Sequence, residues 1–188
     1  MRLVRSEFRS YNILLTSQRY LCERGRFDKS SKLIQTAENV YQALEDKEND
    51  LFRADLRTVK LYYANETDHN NSSIDLATEA LNIREEAVRL GLLEEDHPNR
   101  ANGFMNLAVM YAKVNPEKAV ELNITALSIR TKTTRFQDQQ VHGLALNYLN
   151  LGRSYWCSGR LDEAATAFET CLATIKVREE ICRQRFAL

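Results

Sequence analysis

The chain has 188 residues, 26 Lys+Arg against 26 Asp+Glu for a formal net charge of zero, and 44% hydrophobic residues. That balance excludes a disordered chain and a membrane-embedded one, and without a basic excess it excludes nucleic acid as the main partner. Six glycines and two prolines are few breakers for this length, so the composition predicts an all-α protein forming one domain or one continuous array. The N-terminal run Met1-Arg2-Leu3-Val4-Arg5-Ser6-Glu7 is charged and lacks the apolar stretch of a secretion signal. No segment nears the ~18 unbroken apolar residues of a membrane span, and no membrane partner is expected. Cys22, Cys157, Cys171 and Cys182 make no C-x-x-C pair. On one helix Cys171 and Cys182 would stand about three turns or ~16 Å apart, too far to bridge. They read as buried free thiols in a reducing compartment, which makes the sequons at Asn65, Asn71 and Asn123 idle and predicts a cytoplasmic protein.

Four segments repeat one pattern of two helices. The first, residues 8–47, carries Leu14, Leu21, Gly25, Phe27, Ser30 and Ala37, with Ala37-Glu38-Asn39-Val40-Tyr41 in its second helix. The second, 52–90, has Leu56, Val59 and Tyr63, a polar loop from Asn65 to Asn71, then Ser73 and the string Ala80-Leu81-Asn82-Ile83-Arg84. The third, 99–135, has Phe104, Leu107, Ala108 and Tyr111, a turn one residue short at Asn115-Pro116, then Ala119 and Ala126-Leu127-Ser128-Ile129-Arg130. The fourth, 142–184, places Tyr148, Leu151, Gly152 and Tyr155 at i, i+3, i+4 and i+7, the stripe of an amphipathic helix. Ser158-Gly159-Arg160 then breaks the pattern, Gly159 suiting a left-handed helix end, and a second stripe runs through Leu161, Ala164, Phe168, Cys171, Leu172 and Ile175. Successive second helices start their strings 43, 46 and 45 residues apart, at Ala37, Ala80, Ala126 and Cys171. Such a period marks one supersecondary unit stacked four times.

Leu151-Gly152, Tyr155, Gly159, Ala164, Phe168 and Cys171 fall at the spacing of a tetratricopeptide repeat, and the chain resembles that family over nearly its whole length. The first unit departs from it by Ser17 and Gln18 in place of the usual Leu-Gly pair; the second rests mainly on its second helix. The long period, with Ala80-Leu81-Asn82-Ile83-Arg84-Glu85-Glu86 leading to Asp96-His97-Pro98, resembles the kinesin-light-chain type, which also ends many signalling NTPases of the NB-ARC and NACHT classes. The resemblance implies a right-handed α-α superhelix (a solenoid) of four helix pairs, a single array over 1–188. It also implies a non-catalytic scaffold holding a partner's peptide or helix in a concave groove. The alternative it implies is a sensor or self-association segment of a larger NB-ARC or NACHT NTPase, without the nucleotide-binding part.

Candidates for chemistry have plainer readings. Glu66-Thr67-Asp68-His69 and Glu94-Glu95-Asp96-His97 have the E-x-x-H spacing of a di-iron bundle, but both sit among helix breakers, so no metal is expected. Asp96-His97-Pro98 reads instead as a helix-starting turn. His142 stands alone, and the glycines form neither a G-x-G-x-x-G nor a Walker loop, so neither an enzyme nor a cofactor is expected. Arg178, Arg183 and Arg185 alternate with acidic residues and read as a solvated helix face.

The first helix of each pair lines the concave surface in the family that the chain resembles. Its residues outside the packing stripe are then the candidate groove: Arg19 and Arg57 in the first two units, Asn102, Asn106 and Lys113 in the third, Asn150, Arg153 and Trp156 in the fourth. Met105, Val109, Leu149 and Cys157 fall on the same faces. Asn side chains can pair with a peptide backbone as donor and acceptor, the cations favour an acidic ligand, and tryptophan is a common anchor. The last helix continues through Val177, Ile181, Phe186, Ala187 and Leu188 with nothing to cover it. This predicts either a piece of a longer array or a homodimer through the uncapped C-terminal face.

Overall fold

The computed structural model describes residues 17, 20–21, 24–43, 50–67, 70–132 and 137–186. Among them are seven helices and no strand: α1 (Phe27–Ala43), α2 (Asp50–Glu66), α3 (Asn70–Arg89), α4 (Pro98–Tyr111), α5 (Pro116–Lys132), α6 (Gln137–Cys157) and α7 (Leu161–Phe186). None is long and apolar enough to cross a membrane.

Local chemistry sets the helix ends. α4 starts at Pro98, whose missing N–H costs nothing in a first turn, and His97 Nδ1 accepts the Asn99 N–H at 3.1 Å. α5 likewise starts at Pro116, with Asn115 Oδ1 accepting the Lys118 N–H at 3.1 Å. α6 ends at Gly159, φ +78°, where the Arg160 N–H reaches back to the Tyr155 carbonyl at 2.9 Å. That six-to-one bond with a left-handed glycine closes the helix, and only glycine takes that φ without strain. The expected loop from Asn65 to Asn71 is shorter than its polarity suggested. α2 runs on to Glu66 and α3 begins at Asn70, since asparagine at a helix start favours the fold that it interrupts mid-helix.

The chain divides into two compact units, residues 1–87 and 88–188. In the first, Ala37 of α1 packs on Phe52 and Leu56 of α2 with Tyr41 beside them, and the Tyr41 and Phe52 rings stack at 6.3 Å. Lys60 of α2 pairs with Glu38 of α1. α3 is tied to α2 by charge: Glu79 receives Arg53 at 2.9 Å and Arg57 at 2.8 Å, and the buried Arg84 reaches Asp55 at 2.8 Å and Thr58 at 3.2 Å.

In the second unit each helix packs on the next, and α4 also packs on α6. Ala101 and Met105 of α4 meet Ala126 and Ile129 of α5; Ala108 and Ala112 meet Ala119; Val120 of α5, Leu151 of α6 and Ala167 of α7 share a third cluster. Met105 is therefore core between α4 and α5, not a groove residue. Ser30, Ser73, Ala119 and Ala164, and seven residues on from each of the first two and the last two Ala37, Ala80, Ala126 and Cys171, are all buried. Side chains this small let paired helices close up. At Gly152 the approach is extreme, since a Cβ there would lie 2.6 Å from the Phe168 ring. The stripe read on α7 divides: Ala164 and Cys171 are buried and Phe168 is half-buried, while Leu161, Leu172 and Ile175 are exposed. Of the thiols expected to be buried, Cys171 is, but Cys157, at the end of α6, is exposed.

Glu79 gives the first unit a pH dependence. Burial would raise its pKa, but hydrogen bonds and charge from Arg53 and Arg57 outweigh that and hold it below the usual carboxylate value. A carboxylate depressed in the fold stabilises fully above its unfolded pKa, ~4.3, and the contribution disappears as pH falls through the folded value. Glu79→Gln should therefore be less stable than wild type at neutral pH, and urea unfolding should show the two converging in acid.

Candidate functional site

The candidate groove residues that fall together are on α4 and α6 of the second unit. Asn102, Asn106 and Lys113 follow at i, i+4 and i+11, so they share one face of α4 and the turn after it. Asn150, Arg153 and Trp156, with Leu149 and Cys157, occupy one face of α6. Because α4 packs on α6, the two faces belong to neighbouring helices.

Their exposure sorts them. Lys113 and Arg153 are exposed and form no ion pair among the described residues. Trp156 is 65% exposed, and Leu149, two turns earlier on the same face of α6, is exposed too. Asn106 and Asn150 are half-buried. Asn102 is engaged inside the protein, its Oδ1 accepting a hydrogen bond from Nη2 of the buried Arg130. Arg57, in the first unit, is paired with Glu79, which it shares with Arg53. Arg19 lies outside the described residues. The surface available to a ligand is therefore a pair of free cations, a tryptophan and a leucine.

Behind this face lies a buried polar ladder that sequence reasoning missed. Asn147 of α6 donates through Nδ2 to the backbone carbonyl of Asn123 at 3.2 Å and to its Oδ1 at 3.1 Å. Asn123 of α5 donates through Nδ2 to Ser154 Oγ at 3.2 Å and to the Ala119 carbonyl at 3.0 Å. Ser154 Oγ donates to the Asn150 carbonyl at 2.9 Å. All three side chains are buried, and Asn147 Oδ1 has no hydrogen-bond partner. One turn further along the seam Arg130 lies against Gly143, where a Cβ would come 2.1 Å from Arg130 Nη1. Burial lowers the Arg130 pKa, and the neutral Asn102 gives its guanidinium an acceptor. Arg84 makes the charged version of that contact with Asp55, whose pKa burial raises and Arg84 only partly restores. The spacing between partners, 24 to 31 residues, carries no signal in a sequence.

The groups that suggested chemistry are engaged structurally. His97 caps α4, and His142 Nδ1 lies 3.3 Å from Arg178 Nη1. Asp68 and His69 lie outside the described residues. Among the described residues no three His, Cys, Asp or Glu side chains are grouped to hold a metal ion. An open cavity of about 320 Å³ in the first unit, lined by Ile34, Lys60, Tyr63 and Leu76 among others, is almost wholly apolar. Lys118 lies 4.6 Å from the Tyr111 ring and Arg160 4.5 Å from the Tyr155 ring, closing the two turns after α4 and α6 with cations on aromatic faces. Compared with protein-family models and with curated proteins, the chain matches none.

Proposed function

We propose that the chain is a tetratricopeptide-type α-α solenoid and a cytoplasmic, non-catalytic interaction scaffold, and that it holds an acidic peptide or helix against the α4–α6 face. The observation that carries this reading is the conjunction of three exposed residues, Lys113 in the turn that ends α4 and Arg153 and Trp156 on α6, with α4 and α6 packed together. Two cations without internal partners favour carboxylates, and an exposed indole offers the flat, rigid contact that anchors peptides. The repeat reading is supported by small buried residues at matching positions of all four segments and by the packing of α4 on both α5 and α6.

Trp156 is the chain's one tryptophan, so the face carries its own reporter. Mixed-sequence acidic peptides should shift its emission saturably, more weakly as salt rises. Basic peptides of equal length should leave it unchanged. Lys113→Glu combined with Arg153→Glu should weaken acidic-peptide binding about tenfold or more, which is ~1.4 kcal/mol or more, with unchanged circular dichroism. Equal responses to both peptide pools, or an unaltered affinity in the charge-reversed protein, would exclude this face as an acidic-ligand site.

A further inference from the structure

α7 carries a second surface, separate from the α4–α6 face. Leu161, Ala165, Phe168, Leu172 and Ile175 follow at alternating steps of four and three residues. Phe168 is half-buried and the other four are exposed, Leu172 by 60%. The residues by which α7 meets the rest of the unit, Ala164, Ala167 and Cys171, lie to one side of it, and Phe168, whose ring also packs on Gly152 of α6, borders the two.

The protein itself shows what occupies the corresponding surface one repeat earlier. Counting back 45 residues from Ala165, Phe168, Leu172 and Ile175 gives Val120, Asn123, Leu127 and Arg130 of α5. All four meet α6: Val120 and Leu127 share a cluster with Leu151, Asn123 bonds to Asn147 and Ser154, and Arg130 lies on Gly143. This side of the second helix is a helix-docking face, and on α7 it is apolar where on α5 it is half polar.

We infer that a second copy of this chain covers it, α7 lying antiparallel on α7 in a two-stranded seam. A strict alternation of three- and four-residue steps keeps one stripe facing a partner helix along its whole length, as in a coiled coil. The flanking charges set the direction. Pairing about Phe168 and Leu172 places Phe168 against Leu172 of the second copy and Ala165 against Ile175. It also places Asp162 beside Lys176 of the second copy, twice by symmetry. Asp162, Lys176 and Glu169 are all exposed. Glu169 meets its own counterpart near the axis, one repulsive pair against two attractive ones. A parallel pairing would set Asp162 on Asp162, Glu169 on Glu169 and Lys176 on Lys176. Zero net charge leaves no long-range repulsion between copies.

Sedimentation equilibrium of the full chain, from low micromolar to submillimolar concentration, tests this. Wild type should rise from one chain mass towards two. Leu172→Glu, at an exposed position that folding does not need, should stay at one chain mass throughout while keeping its circular dichroism. Lys176→Glu should weaken association about tenfold, and Asp162→Lys added to Lys176→Glu should restore it, since the swap rebuilds both ion pairs. Glu169→Gln should tighten association by removing the axial repulsion. A wild type that remains a single chain over the whole range overturns the proposal. A dimer that persists in Leu172→Glu, or a charge swap that restores nothing, overturns the antiparallel α7 seam.

Discussion

Replacing Gly152 with valine is expected to destabilise the second unit by about 3 kcal/mol, at the upper end of what overpacking a core costs. Helix propensity points the other way, since most residues gain on glycine in a helix interior, alanine by ~1 kcal/mol. The contact decides. A Cβ at 152 falls 2.6 Å from one ring carbon of Phe168 and 2.7 Å from the next, and a rigid ring cannot yield at one end only. Gly152→Ala is the sharper test of sign: propensity alone makes it stabilising, and the Phe168 contact makes it destabilising. Adding Phe168→Leu should recover much of the loss in either background. Urea unfolding of the single and double variants gives the coupling between the two sites.

Asn123→Leu should cost about 2 kcal/mol, by taking one partner each from two buried polar groups rather than by losing volume. Asn147 would lose the Oδ1 that accepts its amide, and Ser154 the Nδ2 that donates to its hydroxyl. Asn147→Leu in the same chain should restore a large part of that stability, because two facing leucines leave fewer polar groups to satisfy. A double-mutant cycle with a coupling above ~1 kcal/mol is the expected result. Strictly additive losses would mean that the two asparagines act separately.

These two sites differ in how far the sequence announces them. Gly152 stands at a fixed place in an apolar stripe, with the small Ala108 at the matching place of the third unit, so periodicity brings it forward. Gly159 and Pro98 were equally plain, because each is the residue type its backbone geometry requires. Asn123 and Arg130 occupy the same kind of stripe position but break the apolar pattern, so nothing in the sequence marks them as buried. Only the fold brings Asn147 and Asn102 to them. Leu172 and Ile175 err the other way. They keep the pattern of a core stripe, yet a stripe shows which side of a helix is apolar and not whether another helix covers it. For the candidate face, the resemblance to the repeat family, together with residue type, picked out Lys113, Arg153 and Trp156. Neither could reveal that Arg57 is matched by Glu79, Asn102 by Arg130, or that Met105 turns into the core.

The polar seam between α5 and α6 also limits how freely such units could be exchanged. Deleting the third pair, or inserting a copy of the fourth after itself, would lay a helix bearing Asn147 and Ser154 on a face with no Asn123 to receive them. After α7 that face would offer Phe168, and one amide and one hydroxyl would be stranded against an aromatic ring. The junction works as a keyed joint: α6 is specified for α5 and rejected by the outer side of α7, although the helices repeat one plan. A chimera grafting α6 and α7 behind a second α7 should fold poorly unless Asn147 and Ser154 are first made apolar.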